Sequence, residues 1–76
     1  MIYFFHRRGD TLRCESRHAR DGLGYELVIT EGRQSQIERF EDARAMENRQ
    51  YELRHAWLLH GWRPDDPGDE MDERED

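Results

Sequence analysis

Alternating hydrophobic and polar residues predict three β-strands in the first half of the chain. Residues 2–8 are rich in aromatic side chains, and residues 11–18 and 25–31 alternate as half-buried strands do. Gly9-Asp10 separates the first two runs, and such a pair is a signal for a two-residue hairpin turn. Further turn residues follow each of the next two strands. This order predicts an antiparallel sheet of sequential hairpins.

The segment 35–40 allows two interpretations. It could be a fourth strand, or it could open the helix, because Ser35 and Glu38 have the spacing of a capping box. A single helix over 35–60 would be about 39 Å long, whereas strands of this length span about 20–26 Å. We therefore favour a fourth strand, followed by a helix with Asp42 as its N-cap that ends near residue 60.

The predicted end of the helix carries a glycine and then a proline. Gly61 fits the C′ position, and Pro64 is a stop signal shortly after it. In this alignment Trp57 is C3 and Trp62 is C″, two positions that contact each other in a Schellman motif. Both tryptophans are therefore expected to close one end of the helix.

The helix has two apolar faces. One is expected to pack on the sheet and carries Ala43, Met46, Leu53, Ala56 and Trp57. The other lies nearly opposite and carries Tyr51, Leu58, Leu59 and Trp62. A helix on an open sheet should be polar on its outer side, so the second set predicts a protein contact, in the simplest case a homodimer. The alternative is that one of the four packs under the return segment of its own chain.

The sheet should also have two different faces. The residues expected to face the helix are Leu12, Cys14, Leu27, Ile29 and Ile37. Either Ile2 and Phe4 or Tyr3 and Phe5 join them from strand 1. The other pair is left on the open face, and the sequence pattern of strand 1 leaves both phases open.

The charge of the chain is unevenly distributed. The net charge is −6, and all 12 cations are arginine. Residues 65–76 hold eight carboxylates and one arginine, a net charge of −7, so residues 1–64 have a net charge of +1. We therefore predict a single ββββα domain of class α+β over 1–63 and a disordered acidic tail over 64–76.

Aromatic and arginine side chains on an open sheet are the groups that bind single-stranded DNA or RNA, because bases stack on rings and guanidinium groups contact phosphates. The candidate residues are Tyr3, Phe5, Arg7, Arg13 and Arg17. In the alternative interpretation, the aromatic residues belong to the core or a dimer contact. The arginines then form a solvated face paired with glutamates.

The acidic tail suggests a second kind of binding module. A run of carboxylates can mimic phosphates, so the tail could engage a basic protein partner or a basic groove of this chain. In that case the protein would be an interaction or inhibitor protein. Deleting the tail would then abolish partner binding.

Other function classes find little support in the sequence. No phosphate-binding glycine loop, nucleophile elbow or HExxH motif is present, so no catalytic residue, cofactor or enzymatic activity is predicted. His55 and His60 point to nearly opposite sides of the helix and cannot share a metal ion, and no metal site is predicted. The chain has no run of about 18 apolar residues. Its single cysteine, Cys14, favours a cytoplasmic setting.

The order of four strands and a helix, with the pattern ERFED…L…W…GW around the helix, resembles the half-unit of PUR repeats and Whirly proteins. It is also similar to the single-stranded-DNA-binding domain of a transcriptional coactivator. The resemblance implies a dimer that binds single-stranded nucleic acid, but no fingerprint residue matches, so no site is transferred. The stretch from Glu38 to Trp62 also looks like small bacterial proteins of unknown function.

Overall fold

One antiparallel sheet with a helix across one face forms the α+β fold of this chain. The structure, a computed structural model, describes residues 1–64. Its elements are β1 (Ile2–Arg7), β2 (Asp10–His18), β3 (Tyr25–Glu31), β4 (Gln34–Phe40), α1 (Ala43–Leu59) and β5 (Arg63–Pro64). The strand order is β4-β3-β2-β1-β5. The four predicted strands and the helix are confirmed, and the prediction of an acidic tail concerns residues outside the described part.

The first hairpin turn lies one residue earlier than predicted. Arg7 pairs with Asp10, so the two-residue loop is Arg8–Gly9 and not Gly9-Asp10. Both loop residues have positive φ, 53° and 87°, as a type I′ turn requires. Gly9 adopts this conformation without strain, whereas Arg8 adopts it against the usual preference of a side chain that has a Cβ.

The ambiguous segment 35–40 belongs to β4, which pairs with β3 along its whole length. The helix begins after Asp42, whose side chain accepts a hydrogen bond of 2.8 Å from the backbone N–H of Ala45. The predicted N-cap is therefore confirmed. A cap here satisfies one of the free N–H groups in the first turn of the helix.

The helix ends in the predicted Schellman motif. The N–H of Trp62 donates to the carbonyl of Trp57 at 2.9 Å, and the N–H of Gly61 donates to the carbonyl of Leu58 at 3.2 Å. Gly61 has φ +92°, a conformation that favours glycine. The reversal directs the chain back to the sheet, where β5 pairs with Phe5 and His6 of β1. This short strand, which was not predicted, spans the expected boundary between domain and tail.

Two adjoining clusters form the core between the sheet and the helix. One contains Cys14, Leu27, Ile29 and Met46, and the other contains Phe5, Leu12 and Trp62. Trp57 packs against both clusters and meets the ring of Phe5 edge-on, with 5.2 Å between centroids. Burial raises the pKa of the Cys14 thiol, so this cysteine is an inert part of the core.

Ile37 lies on the face opposite to the one predicted. It pairs with Val28 on the open side of the sheet and is 54% exposed. The side chain of its neighbour Glu38 points to the helix instead, where Arg49 Nε and Nη2 donate to its two oxygens at 2.9 and 3.2 Å. These hydrogen bonds hold the pKa of Glu38 below its usual value. At this position the edge strand β4 therefore contacts the helix through the Glu38–Arg49 ion pair, and not through the side chain of Ile37 as predicted.

Candidate binding face

The sheet surface that faces away from the helix is the largest candidate surface, and we call it the open face. The strand register arranges its side chains in rows that run across the strands. The three central rows are Arg17–Glu26–Arg39, Ile2–Glu15–Val28–Ile37 and Phe4–Arg13–Thr30–Ser35. The first row is wholly charged, whereas the other two rows mix charged, hydroxyl and apolar side chains.

Strand β1 presents its even-numbered residues to the open face. Phe4 is 41% exposed there, whereas Phe5 is 1% exposed in the core. Tyr3 packs against the same core cluster, and the guanidinium of Arg54 lies 5.1 Å from its ring centroid. The structure therefore does not bring Tyr3 and Phe5 to the open face. Of the two phases that the sequence left open, the structure has the one with Phe4 on the open face.

Arg7 also lies away from the open face. Its guanidinium stacks on Trp62, 4.3 Å from the ring centroid, and its Nη1 donates to the carbonyl of His60 at 2.9 Å. Arg7 shares the odd-numbered phase of Tyr3 and Phe5, which explains its position. Of the five predicted nucleic-acid contacts, only Arg13 and Arg17 lie on the open face.

Both of these arginines are engaged by carboxylates. Arg13 lies 3.2 Å from Glu15, and Arg17 lies 3.0 Å from Glu26 and 3.9 Å from Glu15. Glu26 is a buried residue, and Arg17 provides the close polar partner that a buried carboxylate requires. The interpretation of these arginines as a paired face is therefore the better description of the middle of the sheet.

A fourth ion pair lies at one end of the open face. Arg39 Nη2 lies 3.1 Å from Asp21 and also donates to the carbonyl of Leu23 at 3.2 Å. The backbone N–H of Leu23 and the guanidinium of Arg39 hold the pKa of Asp21 below its usual value. Because these groups neutralise one another, this end of the face offers a phosphate little attraction.

The opposite end of the open face carries the exposed aromatic ring of Phe4, beside two arginines and two carboxylates. A groove runs there between the β1–β2 and β3–β4 turns, with Phe4, Arg13 and Arg33 among its lining residues. Hydroxyl groups of Thr11 and Thr30 also line it, and so do Asp10 and Glu31. We call this groove, defined by these lining residues, the Phe4 groove.

A second concave surface begins on the other side of the β1–β2 turn. Its lining residues within 1–64 are His6, Arg7, Arg8, His60, Gly61 and Arg63, and none of these six carries a carboxylate. Within residues 1–64, no ion pair joins Arg7, Arg8 or Arg63 to a carboxylate. We call this surface the basic pocket. The basic pocket adjoins the Phe4 groove, because Arg8 lines the pocket and the next residue, Gly9, lines the groove.

The predicted dimer face of the helix is only partly present. Tyr51, Leu58 and Leu59 are exposed by 65%, 41% and 85%, and the Tyr51 ring lies 4.4 Å from that of His55. Trp62, in contrast, is 3% exposed. Its inclusion in this face is wrong, because the turn at Gly61 redirects the chain so that the indole enters the core.

No protein-family model matches this chain, and no curated protein or solved structure matches it. The observed ββββα order is compatible with the resemblance to PUR repeats and Whirly proteins, which concerns topology alone. Among residues 1–64, no group of three or more His, Cys, Asp or Glu side chains could hold a metal ion. The helix described for this stretch is not long and apolar enough to cross a membrane.

The turn lengths contain the signal that would have fixed the strand phases. A two-residue loop pairs β1 and β2 so that odd-numbered residues of β1 face even-numbered residues of β2. The pattern of β2 places Leu12 and Cys14 in the core, and their partners across the hairpin, Phe5 and Tyr3, must lie on the same face. The same rule applied to the Gly32-Arg33 loop places Ile37 beside Val28. The basic pocket, however, depends on β5, which has no sequence signal of its own.

Proposed function

We propose that this chain is a non-catalytic binding module for single-stranded nucleic acid. The observation that carries the proposal is the exposed ring of Phe4 beside a cluster of arginines without carboxylate partners among residues 1–64. A base can stack on the ring while the neighbouring phosphates contact guanidinium groups. The strand would run from the Phe4 groove around the β1–β2 turn into the basic pocket.

This proposal changes the residues that the sequence suggested. Phe4 replaces Tyr3 and Phe5 as the stacking ring. The phosphate contacts move from Arg17 at the neutralised end to Arg8 and Arg63 in the basic pocket, with Arg7 and Arg13 beside them. The three arginines of the pocket keep guanidinium N–H groups available, because each guanidinium has five donors and uses few of them within the protein.

The test is a fluorescence-anisotropy titration with a labelled single-stranded oligonucleotide at about 20 mM salt. Three phosphate contacts predict a slope of about −2 in log affinity against log salt, at about −0.7 per contact on a single strand. Replacing two of the three arginines should reduce the slope to about −0.7. The pocket variant is Arg8→Gln with Arg63→Gln, and the control of equal charge is Arg20→Gln with Arg44→Gln.

The aromatic contact has its own matched pair. Phe4→Ala should weaken binding by about 1–3 kcal/mol, the range for loss of one base–ring stack. Ile37→Ala removes a similarly exposed apolar side chain of the same face and should leave the affinity unchanged. Absence of saturable binding at tens of micromolar, for the full chain and for a full chain with residues 65–76 neutralised, overturns the proposed function.

We also propose a homodimer formed through the outer face of α1. Tyr51, Leu58 and Leu59 lie at helical spacing in one exposed stripe, as in helix pairs that exclude water between them. Leu58→Glu combined with Leu59→Arg should convert the dimer to a monomer in size-exclusion chromatography with light scattering. The control exchanges two exposed turn charges, Glu31→Arg with Arg33→Glu. A wild-type chain that is monomeric at high concentration contradicts this assembly.

The alternative function, an interaction protein that engages a basic partner through its acidic tail, depends on residues outside the described part of the chain. Its test is separate from that of the sheet. If the tail is the ligand for another protein, neutralising its carboxylates abolishes that complex. In the nucleic-acid proposal, the same change does not weaken oligonucleotide binding.

A further inference from the structure

The basic pocket brings three arginines together at the carboxyl end of α1. Arg7 and Arg63 are held at the carboxyl end of α1, where Arg63 Nη1 donates to the carbonyls of Trp62 at 3.0 Å and Leu58 at 3.4 Å. Arg7 donates in the same way to His60 and stacks on Trp62. Contacts with helix carbonyls stabilise cations at this end of a helix. They fix the positions of the two guanidinium groups without providing a full counter-charge.

The remaining lining of the pocket adds to its positive character. Arg8 is exposed at the tip of the β1–β2 turn, and the two imidazoles of His6 and His60 lie on the same concave surface. Elsewhere in the described chain, Arg13, Arg17, Arg39 and Arg49 each lie within 4 Å of a carboxylate. Among residues 1–64, the three arginines of the pocket have no carboxylate partner of the kind that these four have.

A run of carboxylates follows Arg63 and Pro64 directly in the sequence. Pro64 pairs with Phe5 at the edge of the sheet, and His6 of the pocket pairs with Arg63. Residues 65–70, DDPGDE, hold four carboxylates and no cation. Six residues can span about 20 Å, so a segment of this length attached at Pro64 is long enough to reach the arginines of the pocket.

We propose that the carboxylates of residues 65–70 occupy the basic pocket and compete there with the phosphates of nucleic acid. The first part of this proposal is independent of the proposed function, and the competition rests on it. A short tether gives an attached ligand a high effective concentration, so even weak ion pairs with the pocket arginines fill the site. A nucleic acid must then displace the segment, which lowers its apparent affinity and makes the affinity depend on the charge of these residues.

Occupation of the pocket is tested on the full chain without nucleic acid. Neutralising the four proximal carboxylates should shift the backbone amide resonances of Arg8, Gly61 and Arg63. Salt at about 0.5 M should shift the same wild-type resonances in the same direction, because screening weakens the ion pairs. The control neutralises the four distal carboxylates and changes the net charge equally. The proximal set is Asp65→Asn, Asp66→Asn, Asp69→Asn and Glu70→Gln, and the distal set is Asp72→Asn, Glu73→Gln, Glu75→Gln and Asp76→Asn.

Unchanged pocket resonances after proximal neutralisation overturn the inference, and so do equal shifts in both variants, which would reflect net charge alone. Competition is tested by oligonucleotide affinity at about 20 mM salt, where the proximal variant should bind at least about fivefold tighter than the distal one. Equal affinities exclude competition. If the pocket resonances shift as expected but no variant binds the oligonucleotide, the proposed function fails while the occupied pocket stands.

Discussion

The phase of strand β1 decides which aromatic ring is structural and which can bind, and two matched substitutions test it. Phe5 is 1% exposed and contacts Trp57 in the core. Replacing a buried phenylalanine by alanine costs about 3–5 kcal/mol through lost burial and the cavity that remains. Phe4 is 41% exposed on the open face and encloses no cavity. Its replacement removes only part of the transfer free energy of a phenylalanine, about 1 kcal/mol.

Urea unfolding followed by circular dichroism measures this difference. With a slope near 1 kcal/mol per molar urea for a small domain, the midpoint of Phe5→Ala should lie about 2–4 M below that of Phe4→Ala. If Phe5→Ala does not fold, Phe5→Leu and Phe4→Leu give the same order with a smaller gap. An equal or larger loss at Phe4 refutes the assigned phase. Oligonucleotide affinity should follow the reverse order, since Phe4→Leu removes the stacking ring and Phe5→Leu does not.

Three further predictions concern the stability of the fold. Gly24→Ala should destabilise the fold more than Gly22→Ala. Both glycines have positive φ, but only a Cβ at position 24 would meet the carbonyl oxygen of Phe40. Equal urea midpoints for the two variants would contradict this close approach. Glu38→Gln should lower stability at neutral pH. Because the folded-state pKa of Glu38 lies below its usual 4.5, the deficit relative to wild type should be complete above pH 4.5 and should shrink as the pH falls from there through the folded-state pKa. A deficit that does not change in acid-unfolding curves would contradict the ion pair with Arg49. Cys14 should react with a thiol reagent only when the chain opens, so labelling as fast as that of a free thiol in native buffer would place it outside the core.

Local signals in the sequence were sufficient to predict the first four strands and the helix, but not β5. The cap at Asp42 and the glycine at Gly61 gave both ends of the helix, because capping depends on residues close together in the chain. Residues 35–40 were predicted to be a strand because a helix that included them would be longer than the sheet. Turn length fixes the strand phases only in combination with the core face of β2. The strand patterns alone left the phase of β1 open and predicted Ile37 on the wrong face.

The binding surface was harder to predict because it depends on contacts between distant residues. Arg7 and Trp62 are far apart in sequence and meet only because β5 returns to the edge of β1. A two-residue strand has no periodicity to detect. Trp62 is an example. Its angle on a continued helix predicted a position on the outer face of α1, whereas the reversal at Gly61 directs its side chain into the core. Periodicity applies only as far as the last helical residue.

The pairing of β5 with β1 has a consequence for the order in which the chain folds and opens. In the described part, the other strand pairs join neighbouring segments, whereas β5 closes a loop over nearly the whole chain and carries the largest loop-closure entropy. We expect the hairpins to form first and this junction last, with Trp62 fluorescence reporting the final step. In the native state the same junction should open early. Its opening separates Arg63 from Arg7 and dismantles the basic pocket, so a ligand that binds the pocket should also stabilise the pairing of β5 with β1.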